Sequence, residues 1–248
     1  MLAHAPLTQA SVPTPPADPA GVTSRRRVLT LTAAGAGALV LALRAAAQTT
    51  RPAPRTGLTL EEFLDEVHPL ASRLLTADQP EDPYLYEVAA RALRLLPLPP
   101  VALKPFPVFE HVTFAPRGQR KPITLTQFEV APGAVIPLHD HAGYNGVMLG
   151  LQGEFRVRSF DPAEGPALPA DGPVRVRQTA DVVVTPGRVS TLARRRDNLH
   201  HVTAGKDGGM ALDVFTILER PGPGRLFDLA EQPETAGGRI YTATPRPR

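Results

Sequence analysis

Beyond Pro97-Leu98-Pro99-Pro100 the chain runs in short apolar stretches cut by turn-forming pairs, a cadence that leaves few architectures open. Stretches rich in β-branched and aromatic residues cover 108–114, 123–130, 145–151, 154–160, 174–178, 182–184, 189–192, 200–203, 211–218 and 239–242. Between them stand Pro132-Gly133, Gln152-Gly153, Asp171-Gly172, Pro186-Gly187 and Asp207-Gly208-Gly209. Val, Ile and aromatic side chains suit a pleated, half-buried surface, while Gly, Pro and Asp supply the dihedrals that reversals require. About ten strands at this spacing predict an all-β fold, a jelly roll or related double-sheet barrel that closes on itself and hides its edges. There is no internal repeat, and no glycine-rich loop opens a helix to cradle phosphate.

Ahead of this region the periodicity is helical. Thr59-Leu60-Glu61-Glu62 has the form of a capping box, with Thr59 as N-cap and Glu62 reaching back to it. Leu60, Phe63, Leu64, Val67, Leu70, Leu74 and Leu75 follow at helical spacing. A second helix is expected over 84–96, stopped by Pro97, with Tyr86, Ala89, Ala90, Leu93 and Leu96 as its apolar stripe. Two such helices are expected to brace a barrel rather than form a separate functional domain.

The front of the chain reads as an address. Ser24-Arg25-Arg26-Arg27 precedes an apolar run from Val28 to Leu43, followed by Arg44 and Ala45-Ala46-Ala47. A charged start, an apolar middle and a small-residue cleavage site make a signal peptide. The run falls short of the ~20 residues of a comfortable membrane span. The paired arginines resemble the twin-arginine export signal, which implies the twin-arginine export machinery as a partner and a periplasmic or secreted location. An uncleaved anchor helix is the alternative. The chain then divides into a signal peptide (1–47), a linker (48–57), a helical extension (58–100) and a barrel domain (101–248).

Charge and cysteine content exclude several classes. Arg25, Arg26, Arg27 and Arg44 against Asp18 account for the whole net charge of +3, and the remainder balances at 23 basic and 23 acidic residues. Nucleic-acid binding has no electrostatic support after signal removal. With no cysteine, disulfides, thiolate ligands, a cysteine nucleophile and a cysteine-linked lipid anchor are all ruled out. Imidazole and carboxylate ligands remain, which suit iron, manganese, nickel, copper or zinc.

The chemistry gathers at Pro137-Leu138-His139-Asp140-His141-Ala142-Gly143. Two histidines two apart on an extended segment face the same way, so one cation can take both imidazoles. Val135, Ile136 and Leu138 lead in, and Val147-Met148-Leu149-Gly150-Leu151 runs out toward Gly153. Asn198-Leu199-His200-His201-Val202 offers a third ligand. Adjacent residues on a strand face opposite sides, so one of the two can join the pair; His200 is taken as the ligand and His201 as outward-facing. Asp140 should point away from the metal. His68 has no partner at metal spacing, and His111 reads as a solvated edge position. Arg194-Arg195-Arg196 could clamp a carboxylate at the mouth of the site, but reads as a solvated loop. Arg156 and Arg158 share a face with Glu154, as an exposed charge-paired surface would, and Tyr241 reads as core.

These residues together carry a resemblance. Ile136 through Gly143, then Gly153-Glu154-Phe155-Arg156-Val157-Arg158-Ser159-Phe160-Asp161, then Asn198-Leu199-His200, resemble the cysteamine dioxygenase and plant cysteine oxidase branch of the cupin superfamily. Gly133, His139, His141 and Gly153 also match the general first cupin motif. The resemblance covers residues 105–245. It implies a cupin jelly-roll barrel, a double-stranded β-helix, with Fe(2+) held by His139, His141 and His200. It also implies an aspartate on the strand after the third histidine, supplied here by Asp213, which would hold a ligand imidazole or a substrate group. Three departures leave the substrate open: 216–220 lack the family's tyrosine, 193–197 replace its usual loop, and Tyr144-Asn145-Gly146 differs from the usual residues after the histidine pair.

The general motif has glutamate where this chain has Gly146, so three neutral ligands would leave the cation its full charge and favour an anionic thiolate. The leading expectation is therefore an iron thiol dioxygenase acting on a small thiol or an N-terminal cysteine with O2. The alternatives are a cupin isomerase or carbon-cleaving dioxygenase, and a non-catalytic module with a structural metal.

Overall fold

The computed structural model describes residues 57–77, 79–165, 167–169, 172–220 and 224–247. The signal-peptide reading, and all of the linker reading but Gly57, lie outside these residues. Helix α1 (Leu60–Thr76) starts at the expected capping box. The Glu62 N–H donates to Thr59 Oγ1 (3.2 Å), and the Thr59 N–H donates to the Glu62 carboxylate (2.7 Å). Helix α2 (Glu81–Ala92) begins ahead of Tyr84 and ends before Leu96. Pro83 does not delay it, because first-turn N–H groups have no helical partner to lose. The earlier start rotates the buried face to Tyr84, Leu85, Val88, Ala89 and Ala92. Tyr86 and Leu93 of the expected stripe are exposed instead, Tyr86 at 69%.

Ten strands follow among the described residues: β1 (Lys104–Pro105), β2 (Val112–Arg120), β3 (Ile123–Val130), β4 (Val135–His139), β5 (Tyr144–Pro162), β6 (Val174–Val184), β7 (Val189–Leu192), β8 (Leu199–Ile217), β9 (Leu226–Leu229) and β10 (Ile240–Pro245). Their order is β1-β2-β3-β8-β4-β9-β10-β6-β5-β7, and a further β8–β5 pairing closes the barrel. This is the all-β jelly roll expected, with the helices before it.

Three pairs of expected strands are each one long strand. Gln152-Gly153 and Asp207-Gly208-Gly209, read as turns, are bends inside β5 and β8, where Gln152 pairs with Met210 and Gly153 with Gly209. Gly153 (φ +64°) and Gly208 (φ +79°) take the left-handed region, and a Cβ at 153 would collide with the Gly208 carbonyl. The two strands therefore kink together and carry on into the second half of the barrel. Similarly, 174–184 is a single strand against β5.

Strand alternation sorts the residues around the site. On β3, β5 and β8, Ile123, Leu125, Val147, Leu149, Leu212 and Val214 face outward and pack under Phe63, Leu64 and Val67 of α1 and Leu85 and Val88 of α2. Burying each such side chain contributes about 1.5–3 kcal/mol, so the helices share one core with this half of the barrel. The alternate positions, Thr126 and Phe128, Tyr144 and Met148, Asp213 and Phe215, line an interior cavity.

Candidate metal centre

Two neighbouring strands and one bend bring the histidines together. His139 ends β4 directly opposite His200 on β8. Pro137 lacks an N–H for the ladder, and the pairing slips between Ile136 and His139. The slip changes strand phase, so Ile136 and His139 both line the cavity while Leu138 enters a separate core cluster. The extended segment ends at His139, and His141 sits in the bend beyond it. There the Asn198 side chain clamps the His141 backbone, accepting from its N–H (3.1 Å) and donating to its carbonyl (3.1 Å).

His200 Nε2 lies 2.9 Å from His141 Nε2 and 3.0 Å from His139 Nε2. One ligand nitrogen from each of the three rings fits within 4.8 Å of the others. A ring nitrogen has a single in-plane site, a proton or a lone pair, so His200 Nε2 cannot bond two others at once. A cation between them satisfies all three, and nitrogens held ~2.1 Å from one ion at right angles stand ~3 Å apart. The donor set therefore fits a divalent metal. The Nδ1–H of His139 donates to the Pro137 carbonyl (2.8 Å), which turns the Nε2 lone pair inward. Among the described residues the buried His141 Nδ1 has no hydrogen-bond partner, so packing against Tyr144 (5.0 Å between ring centres) and Phe215 (5.5 Å) orients that ring.

Electrostatics keep the rings neutral. Burial lowers all three histidines, and the neighbouring imidazoles push His141 and His200 further, well below the ordinary value. Lone pairs are thus free at neutral pH. Burial also raises the Asp213 carboxyl to about 8. Tyr144 is raised to about 12, by burial first and then by Asp213 and Asp140.

The rings open onto a cavity of about 230 Å³ whose walls are mainly apolar, with Phe106, Phe109 and Phe128 among them and no lysine or arginine among the described residues. Asp213 faces this cavity, and among the described residues it makes no hydrogen bond to any of the three rings. Gly146 is where Phe215 packs: a Cβ there would stand 2.6 Å from the ring. The place of the motif's glutamate is thus filled by a phenyl edge.

The other candidates fall away from the site. Asp140 points away and is buried, accepting from the Arg225 N–H (2.7 Å) and Nε (2.8 Å). His201 lies on the opposite face of β8 from His200, paired across strands with Arg158, and burial followed by Arg158 lowers it to about 4. His111 is exposed, His68 lies on α1 and Tyr241 is buried in core. Arg156 pairs with Asp181 rather than Glu154. Arg194 and Arg196 are not a solvated run: they pair with Glu81 and Asp82 at the start of α2. Sequence reasoning named Tyr144 only as a departure and Asn198 only as part of a motif, assigning neither a place in the site, and passed over Phe215. Alternation from Met148 through Gly146 to Tyr144, and from Asp213 to Phe215, is the signal that would have placed Tyr144 and Phe215.

Comparison with known proteins places this arrangement. Residues 79–217 match the family model PCO_ADO. The 2-aminoethanethiol dioxygenase of Homo sapiens is 29% identical over 174 residues, 61% of this chain and 60% of the relative, so the chain spans less than two thirds of that protein's length. Among solved structures, the polyketide cyclase RemF from Streptomyces resistomycificus is 21% identical, with 53% of this chain and 82% of that one covered at a TM-score of 0.37. An RmlC-like cupin from Shewanella frigidimarina is 16% identical, with 47% and 83% covered at a TM-score of 0.35. The family match takes in α2, the three histidines and Asp213 and covers more than half of the sequence; the chain belongs to the PCO_ADO family.

Proposed function

We propose that the chain is a non-haem iron(II) thiol dioxygenase that oxidises a small thiol or an N-terminal cysteine to a sulfinic acid. The observation that carries this reading is the convergence of three neutral imidazoles on one wall of an open, apolar cavity, with Phe215 packed where a fourth protein ligand would stand. Iron(II) held by His139, His141 and His200 would supply open coordination positions and the redox chemistry through which a thiol and dioxygen react. The reaction RSH + O2 → RSO2H balances without a reductant, because both oxygen atoms end on sulfur and the sulfur supplies the electrons.

The chain's own residues bind and shelter. Phe106, Phe109 and Phe128 exclude water and present apolar surface to the thiol's body. Among the described residues Asp213 is the one carboxyl on the cavity wall, and the Tyr144 phenol keeps its proton and can donate a hydrogen bond. A substrate carboxylate would find no lysine or arginine there. This favours thiols carrying an amine, an amide or no charge near the sulfur, in keeping with the name of the human relative.

Oxygen uptake by the iron(II)-loaded protein tests the proposal across 2-aminoethanethiol, an N-terminal-cysteine peptide, cysteine and 3-mercaptopropionate. Uptake should be fastest with the first two. No uptake with any of them would falsify it. Export through the twin-arginine pathway belongs to the same proposal, supported by Ser24-Arg25-Arg26-Arg27 and the apolar run after it. Replacing Arg25 and Arg26 by Lys should retain the protein in the cytoplasm; undiminished export of that variant refutes this part.

A further inference from the structure

Helix α2 packs on the barrel largely through apolar side chains, but its contact with β5 and β8 also holds a buried polar cluster. Asn145 on β5 and Thr216 on β8 are cross-strand neighbours that face the helix, and both are buried, Asn145 completely. Asn145 Nδ2 donates to Glu81 Oε2 (3.0 Å). The Tyr84 hydroxyl hydrogen-bonds with that of Thr216. Glu81 is held in turn by Arg194, whose Nε donates to Oε1 (2.9 Å) and whose backbone N–H donates to Oε2 (3.2 Å).

Each polar anchor adjoins a residue of the site. Tyr144 precedes Asn145 and Phe215 precedes Thr216, and alternation turns both onto the cavity face. Their rings meet edge to face at 4.9 Å, and both pack on His141. His139 has a hydrogen bond to aim it; among the described residues His141 Nδ1 has none. Tyr144 and Phe215 are thus what orients the His141 ring, and α2 pins the strands that carry them. The family match begins at residue 79, so it takes in α2 and leaves out α1.

We infer that Glu81 and Tyr84 are positioning residues of the metal centre, acting through Asn145 and Thr216 on Tyr144 and Phe215 and so on the His141 imidazole. Helix α2 is then a working part of the site and not only a cover for the barrel. Asn145 Oδ1 has no hydrogen-bond partner among the described residues, but the bonds made by Asn145 Nδ2 and by Tyr84 with Thr216 favour one register, whereas a purely apolar contact tolerates sliding. The inference rests on the reading of the three histidines as a metal site and needs no particular substrate.

The test uses the full chain loaded with cobalt(II), whose ligand-field bands report the geometry of its ligands. Glu81→Ala should weaken cobalt affinity about 10-fold, the usual scale for losing a group that orients a ligand, and should shift the bands. Glu81→Gln, which keeps an acceptor for Asn145, should recover most of both. Tyr84→Phe should shift the bands in the same sense and serves if Glu81→Ala fails to fold. The control is Leu64→Ala in α1, buried near Gly118 and Leu125 and outside the hydrogen-bonded cluster, which should lower the melting temperature and leave cobalt binding unchanged. Unaltered bands and affinity in both Glu81→Ala and Tyr84→Phe overturn the inference, and so does an equal change in Leu64→Ala. Because the readout is cobalt alone, a protein that binds metal normally but consumes no oxygen sinks the dioxygenase proposal and leaves this one standing.

Discussion

Replacing Asp213 by Asn should remove an alkaline weakness of the metal-free protein. Burial raises the folded-state carboxyl from 3.8 to about 8. An unfolded chain surrenders this proton first, so the contribution to stability is full below pH ~4 and is lost as pH rises through 8, at up to ~1.4 kcal/mol per pH unit. Depressed histidines act in the opposite direction, but their effect ends near pH 6.5, above which they are neutral in both states. The window from pH 7 to 9 therefore isolates Asp213. Linkage across it gives at most ~1.4 kcal/mol, and water entering the cavity mouth reduces this to about 1 kcal/mol. Tyr84 and Tyr144, both raised to about 12, stay protonated throughout. The assay is urea unfolding of chelator-treated protein at pH 7 and 9 at constant ionic strength. Wild type should lose that stability and Asp213→Asn should lose none. An equal decline in both proteins, or a wild type indifferent to this range, refutes the reasoning.

Other perturbations give separate readouts. Alanine at His139, His141 or His200 should each abolish tight metal binding, whereas His201→Ala should bind a full equivalent by elemental analysis; metal loss in the His201 variant would contradict the strand phase described above. Gly146→Ala places a methyl 2.6 Å from the Phe215 ring, which must tilt into the cavity. The overpacking should cost about 1–3 kcal/mol and raise the thiol KM of the fully metal-loaded protein, and an unchanged KM would count against the cavity as the substrate site. Asp140→Ala leaves the Arg225 guanidinium without its carboxylate, and the melting curve should register a loss of ~3 kcal/mol. A loss below ~0.5 kcal/mol would mean the pair behaves as an exposed one.

Much of this protein is legible in local spacing. The capping box of α1 and strands β3 and β7 follow from local sequence, which neighbouring residues set without help from the rest of the chain. The histidine pair stands out as a motif, but a bend beyond His139 and not strand alternation brings His141 in, and alternation says only that one of His200 and His201 could join them, the resemblance pointing to His200. What depends on distant partners was not legible. Gly153 reads as a turn until Gly208 is seen facing it across the ladder, where the two glycines together make a shared kink. Arg194 and Arg196 read as a solvated run because Glu81 and Asp82 lie more than a hundred residues earlier. Tyr144 and Phe215 become walls of the site only once β5 and β8 are paired and α2 is laid behind them. Alternation assigns each side chain a face, but only the closed barrel determines what that face meets, because register and helix docking are set by burial summed over the whole core.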